Sequence, residues 1–194
     1  MTTGTLPSII GLADLNRLGL SRHSLYAMAR AGELEQIAPG YYARPGELDD
    51  TTATWAAVSL RKPSATICML SALSLHELTD VIPRDTDIAL PRGERTLATR
   101  FSPIRWHSFN RATFGLGRTQ HRMTEEGLTI GLYSPERTII DAFRLRHETG
   151  SDVANEALKR WLRRRGSTPA SLLELSRSFP QALPALRSTL EILL

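Results

Sequence analysis

Residues 11–45 read GLADLNRLGLSRHSLYAMARAGELEQIAPGYYARP, and the spacing of their apolar and glycine positions predicts a winged helix-turn-helix. Leu12, Leu15 and Leu18 recur at helical spacing and form one apolar stripe. Gly19 closes that helix, because glycine enters the left-handed conformation of a C′ position without steric cost. Leu20 fills the turn as a buried plug. Ser21 is the predicted N-cap of a second helix, which runs from Arg22 to about Ala31 and stops at Gly32. Leu25, Met28 and Ala29 fall at i, i+3 and i+4 and face inward. Arg22, His23, Tyr26, Ala27 and Arg30 face outward, and that face carries two arginines and no carboxylate. A helix, a short glycine turn and a second helix make the unit that lays its second helix in the DNA major groove.

The hairpin that follows is the predicted wing. Leu34 and Ile37 alternate as a short strand, Ala38-Pro39-Gly40 supplies turn chemistry, and Tyr41-Tyr42-Ala43 is the return strand. The DNA-binding residues expected from this pattern are Ser21, Arg22, His23, Tyr26, Ala27, Arg30 and Tyr41. The competing interpretation is a helical hairpin that packs on its own domain and touches no nucleic acid.

Outward from this segment, Arg44-Pro45-Gly46 is a plausible hinge. It divides the chain into a winged helix over 1–46 and a C-terminal domain over 47–194. A helix is expected over Thr52 to Leu60, ended by Pro63. Strands are expected over Ala65 to Leu70, Asp87 to Leu90, Ile104 to His107 and Leu128 to Tyr133. Ser71 is the expected cap of a helix whose Ala72, Leu75, Leu78 and His76 face the core. Ser134-Pro135-Glu136 opens a helix with proline at its favoured first position, carrying Ile139, Ile140 and Phe143 and ending before Gly150. Asp152 is the expected cap of a helix reaching about Arg165. Thr168-Pro169 opens another, and Pro184 precedes a last one. The expected class is α+β, with strands and helices mixed in the middle and a helical end.

The 194 residues carry a net charge of +4, and 41% of them are hydrophobic, enough for a proper core. No run approaches the roughly 18 apolar residues of a membrane helix, and the N-terminus shows no signal-peptide pattern. Cys68 lies in an apolar run and is expected to be a small core residue, so a reducing cytoplasm is the expected compartment. The basic excess is uneven: residues 142–166 hold seven bases against three acids. Arginine outnumbers lysine by 22 to 2, and arginine suits phosphate and base-edge recognition.

Enzymatic patterns are weak. His23, His76, His107, His121, His147 and Cys68 show no metal-ligand spacing, and no phosphate-binding glycine loop occurs. Asp80, Asp85, Asp87 and Glu94 surround a predicted strand, the arrangement a metal-dependent nuclease needs. A solvated loop is the plainer interpretation. Neither a metal nor a cofactor is expected. His76 reads as a hydrogen-bonded core histidine, Tyr133 as a packing anchor, and Arg137 with Asp141 as an i,i+4 salt bridge. On the Asp152–Arg165 helix, Val153, Ala157, Leu158, Trp161 and Leu162 build the apolar face. Lys159, Arg160, Arg163, Arg164 and Arg165 form a basic cluster beyond what the helix dipole needs. That cluster is either a solvated face or a face for phosphates or a partner.

The string from Gly19 to Pro45 resembles the N-terminal domain of AbiEi-type (MenA-like) antitoxins, the transcriptional regulators of type IV toxin–antitoxin operons. ATICMLSALSLHEL and GLTIGLYSPERTIIDAFRL resemble later segments of that family, in family order. The wing turn Ala38-Pro39-Gly40 departs from the many relatives that place an arginine before the glycine. The resemblance implies a non-enzymatic, autoregulating repressor that neutralises a nucleotidyltransferase-like toxin. Its expected partners are that toxin and double-stranded operator DNA, with inverted repeats bound cooperatively by a chain that is a monomer or weak dimer in solution. No membrane partner is expected. The alternatives are a stand-alone winged-helix transcription factor with a ligand-sensing or oligomerising C-terminal domain and, from another class, a nuclease.

Overall fold

A 3-10 turn over Leu12–Asp14 leads into helix α1 (Leu15–Leu18) in the computed structural model, which describes residues 6–194. Gly19 ends α1 at φ 65°, and the Leu20 amide donates to the Leu15 carbonyl across 2.9 Å. Leu20 is half-buried rather than the fully buried plug expected. Ser21 is extended and accepts from the Ser24 amide at 3.0 Å, starting α2 (Arg22–Arg30). Leu25 is wholly buried with Ile10, Leu15, Leu34 and Tyr42. Strands β2 (Glu35–Ala38) and β3 (Tyr41–Ala43) pair antiparallel. Gly40 supplies the positive φ, 81°, that the Pro39-Gly40 turn needs. Its carbonyl accepts from the Leu12 amide at 3.0 Å, so the wing turn is tied to the first helical turn. A strand the sequence did not announce, β1 (Ile9–Gly11), pairs with the other edge of β3. Three residues are too few to display an alternation.

Contacts divide the chain into two compact units. The first extends through Pro63 and includes Leu97–Ser102 and His121–Ile130; the second comprises Ser64–Thr96, Pro103–Gln120 and Gly131–Leu194. The unit holding the winged helix is therefore larger than residues 1–46. Helix α3 (Asp50–Ser59) explains much of this. Its residues Ala53 to Ser59 are all buried, as a helix apolar on every side must be. Ala56 joins Ile37 and Ala43 in one apolar cluster, with Phe101 and Leu128 packed against it. The Trp55 ring meets His121 edge-on at 5.5 Å, and burial lowers the His121 pKa.

Asp49 caps α3, accepting from the Thr51 and Thr52 amides and from the Thr52 hydroxyl. That hydroxyl bond, ahead of the amide bonds, lowers the Asp49 pKa below its ordinary value. Asp49→Ala is expected to cost about 1 kcal/mol at pH 7. Because the folded carboxyl is the stronger acid, this contribution is full above the ordinary aspartate range. It fades as pH falls through the lowered folded value. Urea melts of both proteins at pH 7 and near pH 3 are expected to show the gap narrowing in acid.

The strands of the second unit belong to a sheet of order β6-β5-β4-β8-β7: β4 (Thr66–Ile67), β5 (Thr86–Pro91), β6 (Ile104–Phe109), β7 (Arg118–Arg122) and β8 (Thr129–Tyr133), of which that unit holds β7 through Gln120 and β8 from Gly131. β4 lies antiparallel to β5 and parallel to β8, and β5 lies parallel to β6. The strand expected over Ala65 to Leu70 is only two residues long. Helix α4 (Met69–Leu75) begins abruptly, with Cys68 extended and Met69 at φ 45°. Ser71 is not its cap: the Ser71 hydroxyl accepts from the Asp87 amide at 2.8 Å, while the Asp87 carboxylate accepts from the Ser71 amide. A carboxylate from β5 thus serves the first turn of α4, where the helix dipole favours it. Leu75, expected inside, is exposed. The His76 ring nitrogen Nε2 lies 2.7 Å from the Tyr133 carbonyl.

The C-terminal part is helical: α5 (Arg111–Phe114) connects β6 to β7, and α6 (Pro135–Arg144), α7 (Arg146–Thr149), α8 (Ser151–Leu162), α9 (Pro169–Ser176) and α10 (Leu183–Leu193) follow β8. Ser134 caps α6 with Pro135 at its start, as expected, but α6 ends at Arg144 instead of continuing toward Gly150. Gly150, not Asp152, is the N-cap of α8, and α8 stops at Leu162. Pro184 lies inside the first turn of α10. Helix α6 is the hub, packing against α4, α8, α9 and α10.

At the hub sits Arg137, wholly buried. Its Nε donates to Asp141 Oδ2 at 3.0 Å, and its Nη1 donates to the carbonyls of Thr113 and Leu116, each at 2.7 Å. Asp141 Oδ1 accepts from Arg144 Nε and Nη2. The guanidinium also lies over the rings of Tyr133 and Phe179, 4.2 and 4.3 Å from their centroids. The Tyr133 hydroxyl donates to the Phe114 carbonyl at 3.0 Å, and burial raises its pKa. Gly117 lets the loop approach: a Cβ there meets Arg137 Cβ at 2.6 Å, and its φ is 67°.

Candidate nucleic-acid interface

Helix α2 turns about 100° per residue, so Arg22, Tyr26, Arg30, His23 and Ala27 fall within an arc of about 140°. All five are exposed. Leu25 and the half-buried Met28 and Ala29 pack on the opposite side, in the winged-helix core. Arg22 and Arg30 stand eight residues apart, about 12 Å along the axis at 1.5 Å rise each. Neither makes an ion pair among the described residues. The other arginines of the segment are engaged: Arg17 with Asp14, and Arg44 with Glu47. A helix face with two uncommitted guanidinia and no carboxylate can accept phosphates or guanine edges.

The remaining residues expected at this interface behave differently. Ser21 is exposed, but its hydroxyl serves the cap and contacts Ser24 Oγ at 2.8 Å. Tyr26 sets its ring against Tyr42, centroids 6.4 Å apart in an edge-on arrangement, which fixes its direction while leaving it 43% exposed. Tyr41 is not brought to this face. It is half-buried and packs with the Ile37, Ala43 and Ala56 cluster, and a Cβ on Gly11 lies 3.1 Å from its ring.

One cation at the wing had no sequence signal. Arg100, 64 residues beyond Gln36, donates Nη2 to the Gln36 carbonyl on β2 and is exposed. It brings a guanidinium to a wing whose own turn, Ala38-Pro39-Gly40, has none. Only the tertiary fold joins these two positions.

The basic cluster near α8 is partly committed to structure. Arg160 pairs with Asp80 and Glu156; its bond lowers the Asp80 pKa, and the reciprocal bonds raise that of Arg160. Arg164 donates to the His76 carbonyl. Lys159, Arg163 and Arg165 are exposed. Lys159 and Arg163 line a cavity of about 580 Å³ with Leu162, Pro169 and Leu193.

The carboxylates weighed for a nuclease do not converge. Asp80 faces Arg160, Glu94 accepts from Ser64, Asp85 lies 4.0 Å from Arg105, and buried Asp87 lies 2.8 Å from His107 Nε2. No group of three His, Cys, Asp or Glu side chains able to hold a metal occurs among the described residues. Cys68 is buried, which raises its thiol pKa. No helix among the described residues is long and apolar enough to cross a membrane.

Comparison with curated protein sequences gave no match. Among solved structures, the RV2827C protein from Mycobacterium tuberculosis is similar, with 18% identity and a TM-score of 0.52 over 96% of this chain and 76% of that one. At that identity the likeness concerns the fold: a winged helix followed by a mixed domain with a helical end. It is over residues 6–45, the winged helix-turn-helix itself, that this chain matches the family described as "Transcriptional regulator, AbiEi antitoxin".

Proposed function

We propose that this chain is the DNA-binding autorepressor and antitoxin of a type IV toxin–antitoxin operon, acting in the bacterial cytoplasm without catalysis. The observation that carries the reading is the exposed face of α2, with two arginines that make no ion pair among the described residues and with no acid, on a winged helix that matches an antitoxin-regulator family. In this reading Arg22, His23, Tyr26, Ala27 and Arg30 enter the major groove. The capped N-terminus of α2 at Ser21 faces a phosphate, as helix N-termini favour, and Arg100 holds a second phosphate beside the wing. Base contacts specify, and backbone contacts fix register. One winged helix has a small footprint, so two copies are expected on an inverted repeat, binding cooperatively. A nuclease footprint on the promoter of its own operon tests this. Protection of two half-sites is the expected result, and an unprotected promoter overturns it.

Residues 47–194 carry the antitoxin activity in this proposal, with the cognate nucleotidyltransferase-like toxin as partner. Lys159, Arg163 and Arg165 are the docking cations, since Arg160 and Arg164 are held by Asp80, Glu156 and the His76 carbonyl. Changing Lys159, Arg163 and Arg165 together to glutamate shifts local charge by about six units, against a screening length of about 8 Å at physiological salt. Loss of protection from toxin in cells, with operator affinity and its salt slope unchanged, is the expected outcome. A shallower salt slope instead assigns these residues to DNA phosphates. Retained protection with an unchanged slope removes them from the functional map.

A second reading has its own support. A transcription factor with a ligand-sensing C-terminal domain is favoured by a cavity at the buried arginine of α6, and a toxin gene beside this one decides between the two.

A further inference from the structure

Arg137 has more donors than the fold uses. Its Nε and Nη1 are taken by Asp141, Thr113 and Leu116. Its Nη2 is buried and has no hydrogen-bond partner among the described residues. Native interiors pair nearly all such donors, and a buried one left over calls for an explanation. The rings of Tyr133 and Phe179 lie over the guanidinium, so an edge nitrogen is what it has left to offer. Arg137 lines a cavity of about 240 Å³ within the second unit, together with Arg92, Arg144, Phe109 and Phe179.

Charge identifies what this cavity accepts. Three guanidinia line it and no carboxylate does. The nearest compensating acid, Asp141, is shared by Arg137 and Arg144, which leaves a surplus of two positive charges. Arg144 binds Asp141 through Nε and Nη2 and lines the same cavity. We propose that this cavity binds a small phosphoryl dianion, either orthophosphate or a phosphomonoester. Planar guanidinium edges match phosphate oxygens with paired, charge-assisted hydrogen bonds. Phe109 and Phe179 supply apolar walls that strengthen those bonds. A monocarboxylate leaves one charge uncompensated. A dinucleotide is too large, because pockets for drug-sized ligands begin at about 300 Å³.

The test uses the full chain, titrated calorimetrically with sodium orthophosphate and with ribose 5-phosphate, against sodium chloride at matched ionic strength. The Arg137 Nε–Hε resonance is followed in parallel. Arg92 is exposed at the cavity and belongs to no core cluster, so Arg92→Gln leaves the fold intact. Saturable binding is expected, with a shift of the Arg137 resonance and an affinity weakened about tenfold or more in Arg92→Gln. Tighter binding of ribose 5-phosphate then names a phosphomonoester as the occupant; equal or tighter binding of orthophosphate names the free anion. Heat no greater than that with chloride overturns the proposal. So does an unmoved Arg137 resonance, or an isotherm identical in wild type and Arg92→Gln, because either places the anion elsewhere. No step of this test involves DNA or toxin, so its failure leaves the proposed function standing.

Discussion

Arg137→Met is expected to destabilise the protein by about 3–5 kcal/mol. Removing one partner of a buried ion pair leaves the other charge desolvated and under-compensated, and that residue, more than the lost attraction, sets the cost. Here Asp141 is wholly buried and keeps only Arg144, itself half-buried. The Leu116 carbonyl loses its Arg137 donor at the same time, while that of Thr113 keeps the Leu116 amide. Against a total stability of about 5–15 kcal/mol for an ordinary domain, this is a large share. Urea unfolding followed by circular dichroism checks it. Arg137→Lys is expected to fare little better, because an ammonium cannot span Asp141 and two carbonyls on one plane. Pairing Arg137→Met with Asp141→Leu removes both charges and is expected to recover much of the loss. A midpoint for Arg137→Met within experimental error of wild type shows that the network contributes nothing to stability.

The second large effect is on DNA. Arg22→Ala and Arg30→Ala are each expected to weaken operator binding by about 1–3 kcal/mol where the arginine reads a base. The two stand about 12 Å apart on α2, far enough for their effects to add. The double variant then loses roughly thirtyfold to more than ten thousandfold in affinity. Both side chains are exposed, so the melting curve stays where it was. A base contact relaxes specificity at one position of the operator, whereas a phosphate contact weakens all sequences alike and lowers the salt slope by about one. Wild-type affinity in both single variants removes this face from the interface.

The winged helix was legible because its signals are local. Gly19, Ser21 and Gly32 punctuate the chain at positions where only a few residue types fit, and the Leu25 stripe fixes which side of α2 is left for solvent. The mixed domain was less legible because its elements are defined by distant partners. Ala65 to Leu70 has the composition of a strand, yet the Ser71–Asp87 exchange of hydrogen bonds starts a helix inside it. β7 reads Arg118 to Arg122 with hardly an apolar residue, and only its position beside β8 makes it a strand. The Arg137–Asp141 pair was visible as helical spacing. Its burial was not, because that depends on Phe179, 42 residues later, and on the Gly117 loop. Arg100 at the wing shows the same limit.

The unit that holds α2 draws on three stretches of chain, the last ending at Ile130. This has a consequence in time. Roughly 85 residues separate Ala43 from Leu128, and at about 5–20 residues per second of synthesis the ribosome takes several seconds to cover them. During that interval the nascent winged helix has its helices and hairpin, but the cluster of Ile37, Ala43 and Ala56 lacks Phe101 and Leu128. A message broken or stopped between codons 63 and 120 therefore yields a product that displays Arg22 and Arg30 on an unfinished support.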